Sequence, residues 1–143
     1  QGVEIEASGE VLPGWQLAGG YTYTKTKYLN TAQAGAPFST YTPEHMFQLW
    51  TKYTFNENHG VLNGLYIGGG LKAYTEFSSG NITAPGYVTV DLMAGYKINE
   101  NLTASLTVNN VFDEKYYARV GGPSVFNFYG EPRSASFKLT AQF

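Results

Sequence analysis

Apolar and polar side chains alternate with a two-residue beat through nearly the whole chain. Phe137, Leu139 and Ala141 alternate with Lys138, Thr140 and Gln142. Trp15, Leu17, Tyr21 and Tyr23 alternate with Gln16, Gly20, Thr22 and Thr24, and Val88, Val90, Leu92 and Ala94 with Thr89, Asp91, Met93 and Gly95. A period of two places such residues on opposite faces of a sheet. One face is oily and the other carries Thr, Ser, Gly, Gln and Asn. A barrel wall that meets lipid outside and water inside needs such a sheet.

The pattern predicts seven strands, over residues 2–12, 14–28, 43–55, 62–77, 86–98, 101–120 and 131–143. A tilted strand needs about nine to eleven residues to cross a bilayer, and these are long enough. The connections alternate in length. Residues 12–14, 56–60 and 99–100 carry turn chemistry in short links; residues 26–42, 78–85 and 121–130 are longer and rich in Gly, Ser, Thr, Pro and aromatics. Outer-membrane barrels pair short periplasmic turns with long extracellular loops. Alternation slips at Asn109 to Asp113, which reads as a bulge within one long sixth strand. A turn at Asp113 and Glu114, giving eight strands, is the alternative. Loop-length alternation favours seven, because an extra turn would carry Phe143 to the long-loop side.

The expected fold class is therefore all-β: an antiparallel transmembrane β-barrel segment of about seven strands, alternatively eight. With seven antiparallel strands the first and last run the same way and cannot close a cylinder by antiparallel pairing. Bacterial single-chain barrels are even-stranded, and bare edges are not tolerated in lipid. The segment is expected to be part of a larger barrel; eight strands would permit a small closed one.

Composition sharpens this picture. The 143 residues include 17 Gly, 12 Tyr and 9 Phe; charged residues make up 14%, below the roughly 25% of soluble domains. Mean hydropathy of -0.25 conceals the oily face because alternation averages it away. No stretch approaches the roughly 20 apolar residues of a membrane helix. A net charge of -2 recommends no nucleic-acid partner. The chain has no Cys, which excludes disulfides and thiolate metal sites.

Several stretches, in order, resemble one family. They are Tyr21 to Thr24 after Pro13-Gly14-Trp15, Thr42-Pro43-Glu44-His45, Leu49 to Tyr53, Gly64 to Gly70 and Gly86 to Met93. Most specific are Val108-Asn109-Asn110-Val111-Phe112-Asp113-Glu114-Lys115-Tyr116-Tyr117, Tyr129-Gly130-Glu131-Pro132-Arg133 and the terminal Phe143. Together they resemble the C-terminal end of TonB-dependent ferric-siderophore receptors of the ferrichrome, pyoverdine and alcaligin type. The resemblance implies a barrel of about 22 strands with a plugged lumen, in the bacterial outer membrane. It implies binding of a ferric siderophore on the extracellular side and passage driven by the TonB complex acting through the plug. On this reading residues 1–143 are the C-terminal part of the barrel, with the plug domain absent.

Candidate site residues follow from chemistry. The long loops carry Tyr28, Phe38, Tyr41, Phe77, Phe126, Phe128 and Tyr129. Aromatic side chains offer contact area at low rotamer cost, and Tyr adds a hydroxyl. Tyr41, Phe126, Phe128, Tyr129 and Arg133 are the ligand-binding candidates, Arg133, or alternatively Arg119, for charge-assisted bonds to an anionic chelate. Membership of an interfacial aromatic belt is the competing reading. Glu131 and Arg133, two apart, also suit a salt-bridged wall. Inward charges (Glu4, Glu6, Lys52, Lys72, Asp91, Lys97, Lys138) are expected to form ion pairs and plug contacts. Phe143 resembles the terminal aromatic read by the barrel-assembly machinery. His45 and His59 lack metal-ligand spacing, so no metal is expected. No cofactor is expected either, the ferric siderophore being transported ligand. No nucleophile-and-base pattern suggests an enzyme. Gly68-Gly69-Gly70 lies within a strand and is expected to allow close approach or bending.

Overall fold

The computed structural model describes every residue except Thr31, Ser39 and Ser124. Eleven strands lie among the described residues: β1 Gly2–Leu12, β2 Trp15–Thr24, β3 His45–Thr54, β4 Leu65–Tyr74, β5 Phe77–Ser79, β6 Ile82–Ala84, β7 Tyr87–Asn99, β8 Leu102–Asn109, β9 Tyr117–Arg119, β10 Phe128–Tyr129 and β11 Ser134–Ala141. Seven form one sheet in chain order, β1-β2-β3-β4-β7-β8-β11, every neighbour antiparallel. β5 with β6 and β9 with β10 make two separate ribbons within the long connections. β1 and β11 occupy opposite edges and do not pair, so the sheet is an open portion of a barrel wall and the closed eight-stranded alternative fails.

Register settles which side chains share a face. Glu6 pairs with Gly20, Gly20 with Gln48, Gln48 with Lys72 and Lys72 with Thr89, so a polar row crosses the wall. One residue along, Ile5, Tyr21, Phe47, Ala73 and Val88 make an apolar row on the other face. Ile5, Leu92, Leu106, Phe137 and Leu139 are exposed, and among the described residues the buried hydrophobic side chains are Phe77, Ala84 and Val120, all in the loops. The sheet thus has no dry core of its own. The outer face carries two aromatic belts. Trp15, Tyr53 and Tyr96 mark the short-turn end, and Tyr21, Tyr23 and Phe47 the long-loop end. Trp15 and Tyr23 are eight residues apart, roughly 26 Å along the strand at about 3.3 Å per residue; at the tilt of about 40° usual in membrane barrels this is about 20 Å of depth, on the scale of their apolar band of about 25 Å.

Two glycines of the polar face explain how it carries large rings. A Cβ at Gly70 would run into the Trp50 ring, and one at Gly95 into the Tyr66 ring. Each ring lies flat over bare backbone on the neighbouring strand, and Lys52 Nζ sits 5.8 Å from the Tyr66 centroid. At Gly68 a Cβ would stand 2.6 Å from the Thr51 carbonyl, so the close approach expected of the Gly68-Gly70 run is present.

The observed strands are shorter than the alternation suggests. The predicted strand at 14–28 ends at Thr24, and that at 131–143 covers Ser134–Ala141. The predicted strand at 62–77 splits. Glu57–Leu62 forms a 3-10 turn, β4 starts after Gly64 at φ 85°, and Phe77 opens β5. The predicted strand at 101–120 is also divided. β8 stops at Asn109, Asn110 and Asp113 take positive φ (49° and 55°), and β9 begins at Tyr117. Both the bulge and the turn expected there meet this geometry partway: the chain does turn, but into a loop ribbon and not into an eighth wall strand. Period-two patterning persists through such breaks because ribbons in loops also alternate.

The two faces predict opposite responses to a charge near mid-wall. In the whole receptor carrying this wall, Leu92→Arg is expected to cost about 2–4 kcal/mol and the adjacent Met93→Arg about 1 kcal/mol or less. Urea unfolding in lipid vesicles, followed by tryptophan fluorescence, measures both; equal costs would refute the assignment of faces.

Candidate ligand-facing rim

Three long connections rise from the same end of the wall: residues 25–44, 75–86 and 110–133. They pack on one another. Ser78 donates its N–H to the Thr40 carbonyl (2.7 Å), and the Thr40 hydroxyl donates to the Ser78 carbonyl (2.7 Å). The Ser79 hydroxyl donates to the Gly121 carbonyl at 3.0 Å. Phe77, Ala84 and Val120 bury one another, with Ile82, Tyr87 and Tyr117 packed around them. The β5–β6 ribbon therefore pins the first loop on one side and the third on the other. Between the first two loops lies a cleft of about 400 Å³, lined by Thr24, Thr40, Glu44, Glu76 and Thr83 among others.

The third loop is closed at its base by Asn110. This buried residue donates its backbone N–H to Asp91 Oδ1 (2.9 Å). Its side-chain amide donates to the carbonyls of Glu114 (2.9 Å) and Glu131 (3.0 Å), and its Oδ1 accepts the Glu114 N–H (2.9 Å). Arg133 donates its N–H to Asp113 Oδ1 at 2.9 Å and its guanidinium to the Val111 carbonyl at 3.4 Å. The two most specific motifs of the sequence thus meet as one knot. Asn suits the position twice over. It tolerates positive φ, and its amide satisfies groups from both ends of the loop. Asp91 also holds Lys72 Nζ at 2.9 Å, the ion pair formed among the described residues. The salt bridge expected of Glu131 and Arg133 is absent from that set; the Arg133 guanidinium is turned onto the Val111 carbonyl instead.

The sequence-predicted aromatics fall into different settings. Tyr41, Phe126, Phe128 and Tyr129 are exposed on the loops, Phe126 with φ 60°. Tyr129 stacks on Tyr117 with centroids 4.6 Å apart and hydroxyls at 3.2 Å. That hydrogen bond holds the Tyr117 phenol above the usual tyrosine range. Tyr28 and Phe38 meet edge to face at 5.3 Å. Phe77 is 6% exposed and serves as loop core, not as an exposed contact. His45 belongs to the outer-face belt, its Nδ1 2.7 Å from the Tyr21 hydroxyl; His59 sits among Tyr53, Phe55 and Asn56 at the opposite end. Among the described residues no group of three potential metal ligands forms. Phe143 is fully exposed beyond the end of β11.

Sequence reasoning missed one cluster. Tyr74, the last residue of β4, pairs with Tyr87, the first of β7, on the polar face. Their rings lie 5.0 Å apart, and Tyr116 from the third loop stacks on Tyr87 at 4.1 Å. Alternation already puts Tyr74 and Tyr87 in phase with Lys72 and Asp91; only the loop's return brings in Tyr116.

A two-faced open wall with belts at both ends and a bound-together set of long loops defines a membrane receptor barrel. The family model described as "TonB dependent receptor-like, beta-barrel" matches residues 1–111, and the chain belongs to that family. The ferric-pyoverdine M114 receptor PbuA of Pseudomonas sp. (strain M114) is 37% identical over 152 residues, covering 100% of this chain and 18% of that protein. The catecholate siderophore receptor Fiu of Escherichia coli (strain K12) is 38% identical over 149 residues, covering 99% and 19%. The crystal structure of the ferripyoverdine receptor of the outer membrane of Pseudomonas aeruginosa, bound to ferripyoverdine, superposes with a TM-score of 0.84 at 35% identity, over 99% of this chain and 19% of that one. The chain spans about a fifth of the length of these relatives.

The knot at Asn110 makes a local prediction. Asn110→Gly keeps the left-handed backbone but removes three side-chain hydrogen bonds, expected to cost about 1–3 kcal/mol. Amide exchange at Glu114 should then accelerate about tenfold or more; unchanged protection would show that the loop base is held by something else.

Proposed function

We propose that this chain forms wall and outer loops of an outer-membrane receptor that takes up ferric siderophores, powered by TonB. The observation that carries the reading is the uncovered two-faced sheet crowned by an interlocked loop rim, in a chain belonging to the TonB-dependent receptor family. The similarity to receptors named for ferric pyoverdine and for catecholate siderophores supports the ligand class. The outer face would contact lipid. The polar face would line a lumen occupied by a plug supplied outside residues 1–143, and the plug would couple to TonB. The work done on the ligand is capture and passage, with iron arriving already wrapped by its chelator, so neither catalysis nor a resident metal is required of these residues.

In this reading Tyr41, Phe126, Phe128 and Tyr129 are outer contacts for the chelate's apolar and aromatic surface. Arg133, exposed at the base of the third loop, draws an anionic chelate. Phe143 serves the barrel-assembly machinery, for which an exposed aromatic past an edge strand is a suitable handle.

Uptake of radioactive iron tests the proposal. Iron-starved cells carrying the whole receptor as their sole siderophore receptor should accumulate iron from a ferric pyoverdine or a ferric catecholate. Dissipating the proton-motive force, or deleting the receptor gene, should reduce accumulation at least tenfold. If neither class of chelate delivers iron, or delivery survives both treatments, the reading is wrong.

A further inference from the structure

The oily face is not evenly covered. Two small positions, Gly69 on β4 and Ala94 on β7, lie diagonally across one strand pair, since Gly69 pairs with Leu92 and Ala94 with Ile67. Ala94 also faces Leu106 on β8. Large side chains therefore stand around small ones, and the wall carries a groove of about 920 Å³ whose lining is almost wholly carbon. Ile67, Leu92 and Leu106 are exposed along it. Close packing keeps the floor bare: a Cβ at Gly69 would stand 2.9 Å from the Asp91 carbonyl. The groove reaches the short-turn belt at Trp15 and Tyr53, which pair across β2 and β3. Trp15 donates its indole N–H to Thr51 Oγ1 at 2.7 Å, so it offers the groove carbon alone. Tyr53 brings a polar edge: its hydroxyl lies 3.3 Å from His59 Nε2, and His59 Nδ1 lies 2.8 Å from Asn56 Oδ1. Phe55 backs that imidazole edge to face at 5.3 Å. An apolar trough thus runs into a polar cluster at the depth where hydrocarbon gives way to headgroups.

We propose that groove and cluster together hold one phosphatidylethanolamine of the periplasmic leaflet. An acyl chain lies in the groove, and the glycerol and phosphate oxygens meet Tyr53, Asn56 and His59. Charge chooses the headgroup. The turns beside the site carry Glu57 and Glu100, while Lys52, Lys97 and Lys138 at this end alternate onto the polar face. Among the described residues the bilayer-side rim of the short turns has carboxylates and no lysine or arginine. A zwitterionic headgroup bearing an ammonium fits that rim; an anionic one, phosphatidylglycerol or the phosphates of a lipopolysaccharide, is repelled. A chain seated in a groove covers more apolar surface than one lying on a flat wall, which separates a held lipid from the passing contacts of the rest of the face. The inference rests on the oily face meeting bilayer and not on what the receptor carries.

Quenching of Trp15 by brominated lipid tests the site. The whole receptor is placed in vesicles mixing ordinary phosphatidylcholine with a phospholipid brominated at mid-chain, either phosphatidylethanolamine or phosphatidylglycerol. The Trp15 part of the emission is the difference from the Trp15→Phe receptor. Varying the mixture gives the binding constant of each brominated lipid relative to phosphatidylcholine. Phosphatidylethanolamine is expected to exceed phosphatidylglycerol about threefold, the scale of one exposed charge pair. Glu57→Gln, and separately Ala94→Phe, which fills the groove floor, should each bring the ratio close to one. Val88→Phe, on the same face near the long loops, should leave it at the wild-type value. A wild-type ratio near or below one, or a raised ratio that survives both Glu57→Gln and Ala94→Phe, overturns the site while the uptake reading stands. Absence of Trp15 quenching by either lipid also overturns it; a monomer on size exclusion would then overturn the bilayer assignment of the face as well, and a dimer would name a second copy as the occupant. Heat-modifiable gel mobility on each variant confirms a folded barrel.

Discussion

An oily sheet face with nothing from the chain to cover it is the constraint on which the rest depends. The five inner strands satisfy their backbone groups on their neighbours, but the side chains of one face find no second layer. In water such a face would cost roughly 25 cal/mol for every Å² of apolar surface left wet. A bilayer removes that cost, and the two aromatic belts mark where its hydrocarbon would begin and end. The same requirement governs the edges. Lipid offers no hydrogen bonds, so β1 and β11 must meet further strands, and a wall of seven is a share of a larger cylinder.

Facing inward, the wall must be polar yet structurally exact, and it uses two devices. Glycines on one strand accept aromatic rings from the next, Trp50 over Gly70 and Tyr66 over Gly95, which gives rigidity to a face without a core. Buried polarity is concentrated at Asp91. One carboxylate ties Lys72 on β4 to the start of the third loop at Asn110. A buried carboxylate is tolerated when it is paired and hydrogen-bonded, and here its two oxygens have separate partners.

The loops owe their order to a similar economy. A ribbon of two three-residue strands supplies Phe77 and Ala84, which with Val120 of the third loop make the buried hydrophobic cluster among the described residues, and hydrogen bonds from Ser78 and Ser79 reach loops on both sides. Three connections so joined present a single surface. Position of an aromatic on that surface, whether out on a loop like Phe126 or over the lumen like Tyr87, decides what it can meet.

Fold class, the two faces, the short and long connections and the strand number of the wall were legible in the residues themselves. A period of two is a local property: each side chain's face follows from its neighbours' positions. Charges such as Lys72 and Asp91 could be assigned to the polar face on that ground alone. What local pattern could not supply were the strand ends and the pairings across loops. Asn110 reads as one more residue in an alternating run until the Asp91 carboxylate, 19 positions away, takes its N–H and bends the chain. Phe77 looks like an exposed loop aromatic until Val120 arrives to bury it, and Tyr116 joins Tyr87 only when the third loop folds back. Those contacts join residues far apart in sequence, so only the tertiary structure decided them.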